Sequence, residues 1–296
     1  MIDEPVAVPA DSADAAVQRF RIALAYDGTR FSGWARQPGL RTVQGELEGA
    51  LHRIFQRRPP APTLVVAGRT DAGVHATGQV AHVDLRADQL ALLQGRGHDG
   101  EAGTLLARRL NGVLGTPSDL VISRIDPVGP DFDARFSALW RVYRYRIADS
   151  AAERDPLQRL RTVWRNGVLD VEAMNRAAAL LLGLHDFAAF CKPREGATTI
   201  RTLQDFHWER LSDGVVEARV QADAFCHSMV RALVGGCVAV GTGRLAPERL
   251  GEVLAGHART NEFIVMPAAG LTLVEVVYPE PGLLAGRAEQ TRARRR

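Results

Sequence analysis

Lysine is almost missing from this chain: Lys192 is the only one, and the other 36 basic residues are arginine. A GC-rich coding sequence accounts for most of such a bias. Arginine nevertheless brings a planar fork that grips phosphate in two places and stacks on bases. Cysteine is scarce too. Cys191, Cys226 and Cys237 are odd in number and show no CxxC spacing. That argues against a disulfide framework and fits a reducing compartment. Cys226-His227 has the look of a zinc fragment, but no second pair follows at finger spacing, and a thiol on an apolar helix is the plainer reading. The eight histidines show no ligand spacing, so no metal is expected. No apolar run approaches the roughly 18 residues of a membrane span. The N-terminal stretch MIDEPVAVPADSADAA carries four acids and no basic start. It predicts a disordered tail and no export signal, hence a cytoplasmic protein without a membrane role. GxSxG and GxGxxG units are absent, and GTGR (Gly241–Arg244) lacks the spacing and lysine of a phosphate loop.

What is present suffices for a large core: 46% of the 296 residues are apolar. At roughly 150 residues per domain, the length suggests two domains. The net charge of +3 is unevenly placed, because the terminal GRAEQTRARRR carries five arginines against one glutamate. That end reads as a solvating arm that could touch RNA, and removing residues after Leu284 is expected to leave turnover nearly unchanged.

Periodicity gives one order of elements twice. RFRIALAYD (Arg19–Asp27) alternates as a strand, and Thr42–Gln56 has helical spacing behind Thr42 as cap. Strands at Thr63–Gly68 and Gly78–Leu85, a helix at Gly103–Leu114 and a strand at Asp119–Asp126 follow. The second set runs strand Leu139–Ala148, helix Asp170–Gly183, a hairpin over Thr202–Leu211 and Gly214–Phe225, helix Ser228–Gly243 and strand Gly270–Tyr278. Two β-α-β-β-α-β units predict an α+β protein of two ferredoxin-like halves with antiparallel or mixed sheets. Their open sheet faces can meet across a central RNA-binding cleft. The expected organisation is a disordered tail at 1–18, halves at 19–130 and 131–280, and a basic tail at 281–296. A short helix and a Gly-rich insertion fall within Arg86–Gly103.

Three positions carry candidate chemistry. Asp71 lies in a loop punctuated by Gly68, Gly73 and Gly78, between two strands. Arg69, two residues away, could pair with it, and an adjacent cation favours the ionised form needed by a nucleophile or general base. An Asx turn, with Asp71 bonding its own backbone, fits the same residues. Tyr143 shares a strand face with Arg141 and Tyr145, which suits a stacked base and a phosphate, or equally a packed core. Arg231 sits on the apolar helix SMVRALVGG. It either pairs with a carboxylate such as Asp71 or snorkels to the surface.

AGRTDAGVHATGQVAH (67–82) closely resembles the signature of the tRNA pseudouridine synthase A family. YDGTRFSGWARQ (26–37), FDARFSALWRVYRYRI (132–147) and DAFCHSMVRALVG (223–235) resemble further family motifs in the same order, and HDFAAFCK and RTL also fit. The resemblance covers about Arg19 to Pro279. It implies isomerisation of uridine to pseudouridine at nucleotides 38 to 40 of the tRNA anticodon arm, by a homodimer without cofactor or metal. It implies Asp71 as nucleophile, Tyr143 as the base-stacking contact, and Arg69 and Arg231 as active-site arginines. The insertion at Gln94–Gly103, the helix exit NGVLGTPSDL and both tails depart from the family pattern, none of them touching the aspartate or tyrosine motifs. Two rivals are a non-catalytic RNA binder, which leaves Asp71 unexplained, and a sugar-transferring enzyme, which wants a phosphate or metal site.

Overall fold

The computed structural model describes residues 17–94, 100–193 and 198–293. In the first half, β1 (Val17–Tyr26) turns Phe20, Ile22, Leu24 and Tyr26 inward by simple alternation. The helix α1 (Val43–Phe55) is capped by Thr42, whose Oγ1 accepts from Gly45 N at 3.2 Å. It buries Val43, Leu47, Ala50, Leu51 and Phe55 along one stripe. Then come β2 (Leu64–Val66), β3 (His75–Arg86), α2 (Ala87–Gln94), α3 (Ala102–Leu114) and β4 (Leu120–Val128). The strands lie in the order β4-β1-β3-β2.

The second half repeats this. Its elements are β5 (Trp140–Ala148), β6 (Val163–Trp164), α4 (Val171–Ala179), β7 (Gly183–Asp186), β8 (Ile200–Arg210), β9 (Val216–Ala222), α5 (Met229–Gly241), α6 (Glu248–Ala255) and β10 (Leu271–Val277). Asp170 caps α4 through Ala173 N at 2.9 Å. The order β10-β5-β9-β8 matches the first half strand for strand, with β7 added outside β8. The ferredoxin-like expectation therefore holds twice over. The short β6 and β7 and the amphipathic α6, which buries Leu250, Val253 and Leu254, were not anticipated.

The halves meet edge to edge, not face to face. β10 pairs in parallel with the start of β3, Thr272 opposite His75 and Leu273 opposite Ala76, making one ten-stranded sheet. Gly78 permits this approach, since a Cβ there would stand 2.0 Å from the Val274 carbonyl oxygen. One contiguous apolar core runs through both halves.

The termini differ from expectation. Residues 1–16 of the expected tail lie outside the described residues, and β1 already begins at Val17. Of the expected insertion, 95–99 lie outside them, and α2 and α3 flank the rest. The arginine-rich end is not a solvating arm: Leu284–Arg292 form a helix, α7, with Leu284 and Ala288 buried. Arg287 donates to the carbonyls of Ala138 and Leu139, and Arg292 pairs with Asp133 at 3.0 Å. Apolar positions four apart and a basic outer face let this segment dock on the connection between the halves. Residues 294–296 lie outside the described residues.

Candidate active site

The loop between β2 and β3 carries Asp71, and the segment after β1 straps it down. Trp34 N donates to Thr70 O at 3.0 Å, and Gly73 N donates to Phe31 O at 3.2 Å. The Tyr26 and Thr70 hydroxyls share a hydrogen bond of 2.8 Å. Gln79 Nε2 donates to Tyr26 Oη at 3.1 Å and to Gly68 O at 2.9 Å. At Gly28, a Cβ would stand 2.0 Å from Val74 O, so only glycine lets the two segments touch. The stretch YDGTRFSGW thus acts through the backbone of the Asp71 loop. A buried, fully bonded loop base presents a defined side chain at its tip.

Asp71 is not engaged in an Asx turn. Val74 N donates to its main-chain oxygen at 3.2 Å, which leaves the carboxylate to other partners. Its side chain is 28% exposed, so it faces outward from the core. Among the described residues its three partners come from the start of α5, in the other half. Arg231 Nη1 lies 3.7 Å from Oδ2, Ser228 Oγ donates to Oδ2 at 3.3 Å, and His227 Nε2 lies 3.5 Å from Oδ1. Arg231 also donates from Nε to Met266 O at 2.6 Å, which orients its guanidinium. Of the two readings of Arg231, pairing with Asp71 or snorkelling to the surface, the geometry shows the pairing.

Strand register places Tyr143. Leu273 of β10 stands opposite Ala76 of β3 on one side and Tyr143 of β5 on the other. Tyr143 is therefore two strand spacings, about 10 Å, from the foot of the Asp71 loop. It packs edge-on against Phe225, with ring centroids 5.1 Å apart. Burial, then the neighbouring Tyr26 and the Asp71 charge, push its phenol well above the usual tyrosine range. The ring stays neutral, which suits stacking and disfavours a role as general base.

Arg141 and Tyr145 follow the packed-core alternative, and the expected pairing of Arg69 with Asp71 is not found. Arg141 is buried and spent on the carbonyls of Asp223, Ala67 and Arg135, so it locks the seam and cannot meet phosphate. Tyr145 is fully buried, donating to Pro267 O at 2.8 Å. Arg69 is exposed and, among the described residues, has no ion pair with Asp71. The cation beside the carboxylate is Arg231. His227 and Ser228 were missed as partners of Asp71, because the sequence shows Cys226-His227 only as a fragment before an apolar helix. Among the described residues no group of three or more His, Cys, Asp or Glu is gathered as a metal site.

The same stretches match known proteins. A family model described as tRNA pseudouridine synthase matches residues 177–279, which include α5 and β10. A tRNA pseudouridine synthase A of Leifsonia xyli is 60% identical over 94% of this chain and 97% of its own length. The chain belongs to the tRNA pseudouridine synthase A family. Synthases of that name from Cutibacterium acnes and Streptomyces griseus are 53% and 52% identical over 94% and 95% of this chain, and 95% of their own lengths. The Asp71 loop, the Tyr143 strand and the start of α5 all lie at the seam between the two halves.

Proposed function

We propose that this synthase converts uridine to pseudouridine at nucleotides 38 to 40 of the tRNA anticodon arm, with Asp71 as the reacting carboxylate. The observation that carries the reading is the convergence on Asp71. A carboxylate on a strapped loop of one half meets Arg231 and Ser228 from the other, with a neutral phenol within its electrostatic reach.

The reaction is a redox-neutral rearrangement. The N1–C1′ bond breaks, the uracil turns, C5 bonds to C1′, the C5 proton leaves, and N1 gains one. Asp71 either captures C1′ or removes the C2′ proton to give a glycal. Arg231 offsets the carboxylate charge before reaction and, held by Met266 O, keeps its orientation as that charge is spent. Tyr143 stacks on the freed ring and keeps it over the sugar. Exposing the nucleotide costs a few kcal/mol, which arginine contacts to the backbone offset. The exposure of Arg69, two residues from Asp71, supports such a phosphate contact for it and not a proton step.

The family resemblance also leads us to propose a cytoplasmic homodimer needing no cofactor. Among the described residues no helix is long and apolar enough to cross a membrane. The test is Asp71→Asn assayed by tritium release from tRNA labelled at uridine C5. Retained tRNA binding with no release is expected. Turnover near the wild-type rate would remove Asp71 from the chemistry.

A further inference from the structure

Ser228 is one of two described non-glycine residues with a positive φ, at φ 62° and ψ 8°. A left-handed backbone costs a serine about 1 kcal/mol. Residues in that position usually recover something by capping, but Ser228 makes no side-chain hydrogen bond to its own helix. Its hydroxyl goes to Asp71 Oδ2 instead, at 3.3 Å. Strain kept at a site without local compensation points to what the strain positions.

The residue it turns is His227. The main chain there is fixed, because Lys192 N donates to His227 O at 3.0 Å. The ring projects to 3.5 Å from Asp71 Oδ1, and its side chain remains 44% exposed. The two carboxylate oxygens thus have separate holders, Arg231 and Ser228 on Oδ2 and His227 on Oδ1.

We propose that His227 is a positioning residue for the isomerisation: its Nε2–H steadies Asp71 Oδ1, and with Ser228 on Oδ2 it fixes the plane of the carboxylate. The inference rests on the reading of Asp71 as the reacting group. Attack on C1′ and removal of the C2′ proton both need a lone pair aimed within a narrow cone. Contacts on both oxygens resist rotation of the carboxylate about its Cβ–Cγ bond more strongly than contacts on Oδ2 alone. The 3.5 Å separation is longer than a working hydrogen bond, and such contacts tighten when substrate fills the site.

The test compares His227→Ala, His227→Gln and Asp71→Asn in single-turnover tritium release from anticodon-arm RNA, with RNA affinity and melting temperature measured on each. Misplacing a reacting group by 1 Å costs about 100-fold. His227→Ala is expected to lose about 10- to 100-fold in rate with affinity little changed. His227→Gln, whose carboxamide can donate from a similar point, should recover most of the rate. Wild-type rate in His227→Ala, with Asp71→Asn inactive, overturns this inference alone. Equal losses of affinity and rate in both histidine variants also overturn it, making the ring an RNA contact. An active Asp71→Asn removes the reading beneath it as well. Melting temperatures near wild type tie the rate losses to the site and not to folding.

Discussion

Arg231 of the second half reaches within 3.7 Å of Asp71 in the first, while its Nε donates to Met266 O at 2.6 Å. One guanidinium therefore spans the seam and meets the carboxylate proposed to react. Replacing it with methionine leaves a partly buried carboxylate without its cation and frees the Met266 carbonyl. Charged hydrogen bonds contribute about 1.5–3 kcal/mol each, so a loss of at least about 10- to 100-fold in single-turnover rate is expected. Arg231→Lys keeps the charge but cannot make both contacts from one rigid fork. It should lie between the two; a lysine variant at the wild-type rate would show that charge alone is needed.

All four tyrosines, Tyr26, Tyr143, Tyr145 and Tyr278, are held above the usual tyrosine range, in each case chiefly by burial, Tyr26 at about 12. The sign follows by linkage. Below about pH 10 each phenol is neutral whether the chain is folded or not. Above it the unfolded chain ionises while the fold holds its protons. Stability therefore falls as pH rises, by up to about 1.4 kcal/mol per pH unit for each tyrosine. Urea midpoints at pH 9, 10 and 11 should decline with increasing slope. Phenolate absorbance should appear only with unfolding; its growth in the still-folded protein would count against the burial account.

The element order was legible because every main strand and helix carries its own period, and Thr42 and Asp170 announce their helices as caps. Asp71 stood out because glycines bracket it between two strands. The seam was not legible. A two-residue parallel pairing between β10 and β3 leaves no periodic trace in either strand. Strand alternation correctly put Arg141, Tyr143 and Tyr145 on one face, but all three are buried, and that depends on what packs over the face. Arg69 lies near Asp71 in sequence, yet a loop residue two positions away can point anywhere. Serine is also no signal for a positive φ, so the turn that brings Ser228 and His227 to Asp71 could only be seen folded.

Gly78 gives the sharpest test of the edge-to-edge junction. A methyl group there would press on the Val274 carbonyl at 2.0 Å, backbone against backbone with no side chain to yield. Gly78→Ala should part β3 from β10 and cost more than about 2 kcal/mol. It should also weaken turnover, since the same register sets Tyr143 beside the Asp71 loop. Gly112→Ala in α3, with open space at its Cβ, should instead stabilise by about 0.5–1 kcal/mol. Chemical denaturation of both variants decides; equal effects would mean that close approach at the seam is not what Gly78 serves.

Removing residues 284–296 tests the reversal at the C-terminus. As a solvating arm, the segment would be dispensable. As α7 it buries Leu284 and Ala288, and Ser137 Oγ donates to Leu284 O at 3.3 Å. Arg292 lies 5.0 Å from the Phe136 ring centroid and pairs with Asp133. These contacts all fall on 133–139, the connection that delivers β5 and hence Tyr143. Burial of one leucine contributes about 1.5–3 kcal/mol, so the truncated protein should melt several degrees lower. Leu284→Ala should reproduce much of that loss. Arg292→Ala, which removes an exposed pair, should cost about 1 kcal/mol or less. A truncated protein with unchanged melting temperature would return the segment to the status of an arm.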